Sequence, residues 1–208
     1  MSTRRTCDHR TRSRIRERGA VLVEAAIIAP IAIALVFGAM ELGYGYYGKL
    51  TVEHMSIAGA RAASGNANDV LADYNMLKAV NDARTGMGAS SVTKVVIYRA
   101  SSPSDRVPTA CKSGPVTNTS GTKGCNFYTG ADFTLPTSAF GCGTSPPQKD
   151  RYWCPSTRKF ALEAGPNGPP DYVGVYVEGV HKTLIGMFGK TFTFTNDTVI
   201  RIEPRTVK

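Results

Sequence analysis

The sequence lacks the short motifs that mark common enzyme classes. It contains no G-x-S-x-G, no H-E-x-x-H and no glycine-rich phosphate-binding loop. Histidine is also scarce, because only His9, His54 and His181 occur, and no local signature pairs any of them with a nucleophile. The sequence therefore predicts a protein that is not an enzyme and that needs no cofactor. A secreted hydrolase that depends on His181 stays as the enzymatic alternative.

The cysteines lack the close C-x-x-C spacing that structural zinc sites use, so no metal site is predicted. Apart from Cys7, they lie in one stretch of the chain, at Cys111, Cys125, Cys142 and Cys154. Two disulfides are the better interpretation. Three pairings are possible, and we favour Cys111 with Cys125 and Cys142 with Cys154, because loops between neighbours need no threading. Disulfides require an oxidising compartment, which indicates that this stretch is exported.

Acidic residues are rare at the start of the chain. The whole chain carries a net charge of +9, and much of it lies at the start of the chain. Residues 1 to 19 hold seven arginines against two acids, Asp8 and Glu17. A basic segment directly before an apolar run is typical of a cytoplasmic flank, because arginine resists transfer across a bilayer. We therefore interpret residues 1–19 as a cytoplasmic leader and predict no nucleic-acid partner. Binding of the arginines to nucleic acid or to lipid headgroups is the alternative.

The apolar run from Ala20 to Met40 holds a single charge, Glu24, and as a helix it is roughly 30 Å long. A cleaved signal peptide is the first alternative, with Ala32-Ile33-Ala34 as its cleavage site. The length of the run and its carboxylate favour a retained helix instead. Residues 20–48 are therefore predicted to be one membrane-spanning helix with its exit from the bilayer, in contact with membrane lipid.

The order Arg18-Gly19-Ala20, with Glu24 four residues later, resembles a prepilin peptidase site. The resemblance implies that such a peptidase cuts after Gly19, which would make Ala20 the new amino terminus. It also implies that Glu24 neutralises an amino terminus, its own or that of the next subunit, and serves assembly rather than catalysis. The alternative is that Glu24 lies at the membrane interface and snorkels to water.

Further residues continue this pattern in a fixed order: Pro30, Gly38, Glu41-Leu42-Gly43 and the small residues of 59–63. The succession is similar to the TadE-like family of tight-adherence (Flp-type) pilus assembly. It implies a pilin-like minor subunit or assembly component that acts by helix packing in the bacterial inner membrane, with other pilins or pilus-assembly proteins as partners. Ala20 and Ala25 stand where related pilins carry aromatic residues, so cleavage and retention of the leader both stay open.

The remaining residues, 49–208, are predicted to form an exported α+β domain. The first helix continues to about residue 63, and a second helix spans 68–84 behind a cap at Asn68 or Asp69. Strands are predicted at 92–99, 172–181 and 191–203, with a turn or short helix at 183–190. A long helix packed on a small antiparallel sheet is the economical arrangement, and it is also pilin-like.

Residues 101–170 form an insertion rich in Ser, Pro, Gly and Cys, which is too long for a plain loop unless disulfides hold it. Four acids of this irregular region, which extends to the start of the next strand, are expected to be solvated: Asp132, Asp150, Glu163 and Asp171. The insertion also supports an alternative function, an anchored binding module or adhesin. The candidate contacts of that module are Tyr128, Tyr152 and Trp153.

Overall fold

The computed structural model describes residues 10–66, 68–88, 91–162, 165–183 and 189–204, with side chains from residue 19 onward. The described chain falls into two compact units, Met1–Tyr44 and Gly45–Lys208. The predicted fold class is confirmed, because a long apolar helix near the amino terminus is followed by a small antiparallel sheet and two disulfides. The domain boundaries drawn at residues 19 and 48 stay predictions.

Helix α1 runs from Arg10 to Asn66 and passes through both units. The part of α1 that lies in the first unit is rich in Ala, Ile, Leu and Val. Pro30 lies inside the helix without ending it. Gly19 was expected to separate the leader from the helix. The structure corrects this expectation, because the helix already begins at Arg10 and Gly19 lies within it. The predicted continuation beyond the apolar run is confirmed, since α1 does not end before Asn66.

In the second unit, α1 buries one face, which is formed mainly by small residues. The buried residues are Gly45, Gly48, Thr51, Val52, Met55, Ser56, Gly59, Ala60, Ala63 and Ser64. A Cβ atom built on Gly48 would lie 3.0 Å from the Phe194 ring. Ser64 Oγ donates a hydrogen bond to the carbonyl oxygen of Arg201 at 2.7 Å. The small side chains thus let the helix lie close to the sheet.

The sheet has four antiparallel strands in the order β2-β1-β3-β4. Strands β1 (Val92–Ala100), β3 (Tyr172–Lys182) and β4 (Thr191–Arg201) confirm the three predicted strands. Strand β2 (Cys125–Tyr128) was not predicted, and it lies in the insertion. Most of the connection predicted between β3 and β4, residues 184–188, lies outside the described residues.

The two faces of the sheet pack against different parts of the chain. One face contacts the helices and holds the larger core, to which β3 contributes Val173, Val175 and Val177. The other face carries Val96, Tyr98 and Tyr176, and the first part of the insertion covers it with Val107 and Cys111. Because side chains of a strand alternate between faces, the Val-rich strands of this sheet supply both cores.

Helix α2 (Ala72–Ala83) packs its apolar stripe into the larger core. The predicted cap was wrong, because Leu71 occupies the N-cap position. Asp69 Oδ1 accepts a hydrogen bond from the Leu71 amide at 2.7 Å, and this bond lies in the turn before the helix. After the helix, Gly86 takes a φ of +74°, a left-handed conformation that glycine adopts without strain.

Candidate functional site

The apolar part of the first unit exposes large hydrophobic side chains around the whole helix. Consecutive residues show this most clearly, since Val21, Leu22 and Val23 are 62%, 71% and 63% exposed. Ile31 and Leu35, further along, are 59% and 70% exposed. Among the described residues this is the one helix long and apolar enough to cross a membrane, with a mean hydropathy of 2.6 over its best window. A helix that is apolar on all sides and unpacked suits a lipid environment.

Gly19, Ala20 and Glu24 lie on consecutive turns of α1, and all three are exposed. No heavy atom lies within 4 Å of a Cβ built on Gly19, so a larger side chain would fit at this position. Glu24 and the processing residues therefore remain reachable by a second protein in the described structure. Their predicted roles stay predictions.

Glu41, the next acid along the chain after Glu24, differs from it in exposure. Its side chain is 1% exposed, and neither carboxylate oxygen has a hydrogen-bond partner in the part of the chain that the structure describes. The carboxylate of Glu24 is thus open and that of Glu41 is enclosed.

The four clustered cysteines form two disulfides, Cys111–Cys125 and Cys142–Cys154, which is the pairing that the short loops favoured. The first disulfide joins the start of the insertion to strand β2, and the second closes a loop within the insertion. No cluster of His, Cys, Asp and Glu suited to a metal occurs among the described residues.

A buried ion pair joins α2 to the insertion. Asp73 and Arg158 both have fully buried side chains, and Arg158 Nη1 lies 2.7 Å from Asp73 Oδ1. Arg158 Nη2 donates a hydrogen bond to Asp73 Oδ2 at 2.9 Å, which adds to the close approach of the two charges. The guanidinium also lies 4.2 Å from the centre of the Trp153 ring. This geometry offsets the desolvation of both charges and fixes the position of the insertion.

Two side chains of β2 extend this polar cluster. Asn126 Nδ2 donates to Asp73 Oδ2 at 2.8 Å and to the Trp153 carbonyl oxygen at 2.9 Å. The Tyr128 hydroxyl lies 3.0 Å from Asp73 Oδ2 and 2.6 Å from Asp150 Oδ1. Most polar contacts of the cluster therefore join residues distant in sequence, as expected of a network that specifies one packing arrangement.

The Tyr128 hydroxyl has one proton but two neighbouring carboxylates. When it donates to Asp73, the contact to Asp150 is satisfied only if Asp150 carries a proton and donates to the phenol oxygen. Burial, and next the Asp73 charge, raises the pKa of Asp150 to about 7. Burial likewise raises the pKa of Tyr128 well above its usual value. The Gly141 amide donates to Asp150 Oδ2 at 2.7 Å, so the proton belongs on Oδ1.

Two predictions about the insertion were wrong. Tyr128 and Trp153 are at most 1% exposed, so they pack the core and are not surface contacts of a binding module. The acids were expected to be solvated, yet Asp150 is fully buried and Asp132 is 8% exposed. Both have protein partners, because Asp132 accepts from the Thr129 amide at 2.7 Å and Asp150 Oδ2 accepts from the Gly141 amide at 2.7 Å. Glu163 lies outside the described residues.

Sequence reasoning also missed the role of Asp73, although a signal existed. Asp73 shares the apolar stripe of α2 with Met76, Leu77 and Val80, which follow it by three, four and seven residues. An acid on the buried stripe of an amphipathic helix indicates a buried partner. The sequence could not identify this partner, because Arg158 lies 85 residues further along the chain.

A comparison with known families matches residues 19–61 to the family described as TadE-like protein. The resemblance to the TadE-like family is therefore confirmed over this segment, which begins at the predicted processing glycine. Nothing matches among curated proteins or among solved structures. In general terms, the TadE-like segment associates the protein with components of tight-adherence pili.

Proposed function

From the TadE-like segment at residues 19–61, we propose that the protein is a pilin-like minor subunit or assembly component of a tight-adherence pilus. It acts without catalysis, by packing its membrane helix against other pilins or pilus-assembly proteins. It crosses the bacterial inner membrane once, with the basic leader in the cytoplasm and residues from about 49 onward exported. The observation that carries the proposal is the combination of this match with an apolar helix that is unpacked on all sides.

The electrostatics of Glu24 support the assembly role. A carboxylate inside an apolar segment costs roughly 2.5–3.5 kcal/mol at mid-membrane if it stays unpaired. Cleavage after Gly19 would create an ammonium group at Ala20, one helical turn from Glu24. Pairing with this group, or with that of a neighbouring subunit, would remove most of the cost. Glu24 is exposed and therefore accessible to such a partner.

The compartment is supported by two independent features. The arginine-rich start favours retention in the cytoplasm. The two disulfides of the second unit need an oxidising environment, which the cell envelope provides and the cytoplasm does not.

Processing is tested by replacing Gly19 with alanine. The structure leaves open space around Gly19, so Gly19→Ala does not disturb the folded chain. We expect mass spectrometry to find Ala20 as the amino terminus of the wild type and an uncut leader in Gly19→Ala. Gly43→Ala is the matched control, because its Cβ also meets nothing within 4 Å, and it is expected to be cut normally. An amino terminus beyond the apolar run would refute the retained anchor.

Assembly is tested by Glu24→Gln, which keeps the shape of the side chain and removes its charge. We expect membrane retention to persist while incorporation into pili, or support of pilus formation, is lost. Glu53→Gln removes an exposed charge from the same helix in the second unit and is expected to leave both properties unchanged. Normal pilus formation by Glu24→Gln would remove the assembly role of this residue.

A further inference from the structure

A cleft of about 560 Å³ lies in the second unit, at one end of the sheet. Arg99 of β1, Tyr172 of β3 and Arg201 of β4 line it where those strands meet at this end. The insertion closes the other sides with the turn at 119–123, with Lys159 and with two prolines. Its volume is in the range of small-molecule sites, and it is larger than a single inorganic ion requires.

The charge of this cleft is predominantly positive. Four cations line it, namely Arg99, Lys123, Lys159 and Arg201, against one carboxylate, Asp171. Asp171 is already engaged, because it lies 3.2 Å from Arg99 and accepts the Lys159 backbone amide at 2.8 Å. Lys123 is paired outside the lining, with Asp105 at 2.6 Å.

Lys159 and Arg201 have no carboxylate within 4 Å among residues 10–66, 68–88, 91–162, 165–183 and 189–204. Arg201 is exposed, and its guanidinium lies 5.8 Å from the centre of the Tyr172 ring. Within the described part of the chain, the cleft thus presents two cations without a paired carboxylate, and both are able to bind anionic groups.

The uncharged lining is suited to a ligand that is rich in hydroxyl groups. Thr119, Ser120 and Thr122, which all carry hydroxyl groups, line one wall. Backbone hydrogen bonds between Thr119 and Thr122, at 3.1 and 3.3 Å, hold this turn in place. Tyr172 adds an aromatic ring with an apolar body and a polar tip. A purely apolar ligand would leave the cations and hydroxyls of this wall unsatisfied.

We propose that this cleft binds an acidic oligosaccharide, whose negatively charged groups contact Lys159 and Arg201 and whose hydroxyls contact the 119–122 turn. The proposal goes beyond the assembly role, because all lining residues belong to the second unit. It assigns to the insertion a binding site different from the buried aromatics Tyr128 and Trp153.

The test uses the full-length protein in detergent and isothermal titration calorimetry with defined probes. Trigalacturonate and a sulfated disaccharide supply the acidic sugars, maltotriose supplies a neutral one, and sodium phosphate supplies an anion without a sugar. We expect at least one acidic sugar to bind, more weakly at high ionic strength, and to bind more tightly than maltotriose and phosphate.

The decisive variant is the double change Lys159→Gln and Arg201→Gln. It is expected to weaken binding by roughly tenfold or more, because charge-assisted hydrogen bonds are lost. Folding should be retained, since neither residue has an ion pair within the described chain, and unfolding curves check this. The matched control is Lys182→Gln with Lys190→Gln, two exposed lysines at the other end of β3 and β4.

Three results would overturn the proposal. The first is that neither acidic sugar binds at millimolar concentration. The second is that phosphate binds as tightly as the acidic sugars, which would make the cleft a simple anion site. The third is that the control variant weakens binding as much as the cleft variant, which would make the interaction one of overall charge.

Discussion

The two units of the chain differ in whether their apolar side chains are exposed or buried. The first unit leaves Val21, Leu22 and Ile31 more than half exposed. The second unit buries its apolar side chains in two cores and encloses a charged pair, Asp73 with Arg158. Because α1 runs through both units, the environment of a segment depends on its pattern of side chains and not on its secondary structure.

The difference is visible within α1 itself. Residues 20–37 show no buried stripe, since nearly every position is exposed. Residues 45–64 show buried positions at spacings of three and four, and many of them are glycine, alanine or serine. A helix that packs against one neighbour needs such a stripe, whereas a helix surrounded by lipid does not. The predictions below test this contrast, beginning with the largest expected effect.

Asp73→Ala should lower the stability of the second unit by about 3–5 kcal/mol, because it leaves the Arg158 guanidinium buried without an anion. Denaturant unfolding of the full-length protein in detergent measures the loss. Arg106→Ala is the control, since its partner Asp197 lies at 2.5 Å but Arg106 is 79% exposed, so solvent screens the pair and its removal should cost far less. Equal losses in the two variants would contradict the importance of the buried pair.

Ile31→Arg should oppose membrane insertion by about 2.5–3.5 kcal/mol, because the residue lies near the middle of the apolar run and is exposed. We expect the fraction of protein recovered with membranes to fall, while the unfolding midpoint of the second unit stays that of the wild type. Asp73→Ala should show the reverse behaviour. If Ile31→Arg remained fully in the membrane fraction, the apolar run would not be the anchor.

The stability of the second unit should depend on pH through Asp150. Its pKa of about 7 in the folded protein exceeds that of an unfolded aspartate, so the folded state holds the proton more tightly. The associated stabilisation is complete below about pH 4 and is lost as the pH rises through 7. Between pH 5 and pH 7 the loss amounts to about 2 kcal/mol.

Asp150→Asn isolates this contribution. The asparagine amide donates to Tyr128 as the protonated acid does, and its oxygen accepts from the Gly141 amide. Unfolding measured at pH 5 and pH 7 should therefore show a smaller decrease for Asp150→Asn than for the wild type. An identical pH dependence of the two proteins would show that Asp150 does not carry the titrating proton.

The smallest changes in stability are expected when a glycine of α1 is replaced by alanine, once in each unit. Gly59→Ala puts a Cβ 2.6 Å from Val80 Cγ2 and 3.1 Å from Val175 Cγ1, so we expect a loss of about 1–3 kcal/mol. Gly43→Ala meets nothing within 4 Å, so the unfolding midpoint should be unchanged. Denaturant unfolding compares the two variants. A loss in Gly43→Ala as large as that in Gly59→Ala would mean that the first unit is packed after all.

Sequence reasoning succeeded where a segment carries its own repeating pattern. The long helix, the second helix and strands β1, β3 and β4 follow from apolar spacing and from runs of β-branched residues. The disulfide pairing followed from the short loops between neighbouring cysteines. Each of these features is encoded locally, so no knowledge of distant residues was needed.

The missed features depend on residues far apart in the chain. Strand β2 has only four residues in a glycine- and serine-rich region, and its pairing with β1 and its bond to Cys111 fix it as a strand. Asp150 is buried together with its contacts Tyr128 and Gly141, and the sequence around Asp150 does not predict these contacts. The basic cleft was missed for the same reason, because β1, β3, β4 and two parts of the insertion each supply a wall.

The pairing of β2 with β1 makes the insertion an integral part of the domain. Trimming residues 101–170 to produce a shorter, simpler protein would remove β2, the neighbour of β1 on one side, and leave a row of backbone amides and carbonyls of β1 unpaired along that edge. Such an exposed edge pairs with strands of other molecules, so the shortened protein would be prone to aggregation. Engineered versions of this chain should therefore keep Cys125–Tyr128 even when the surrounding turns are redesigned.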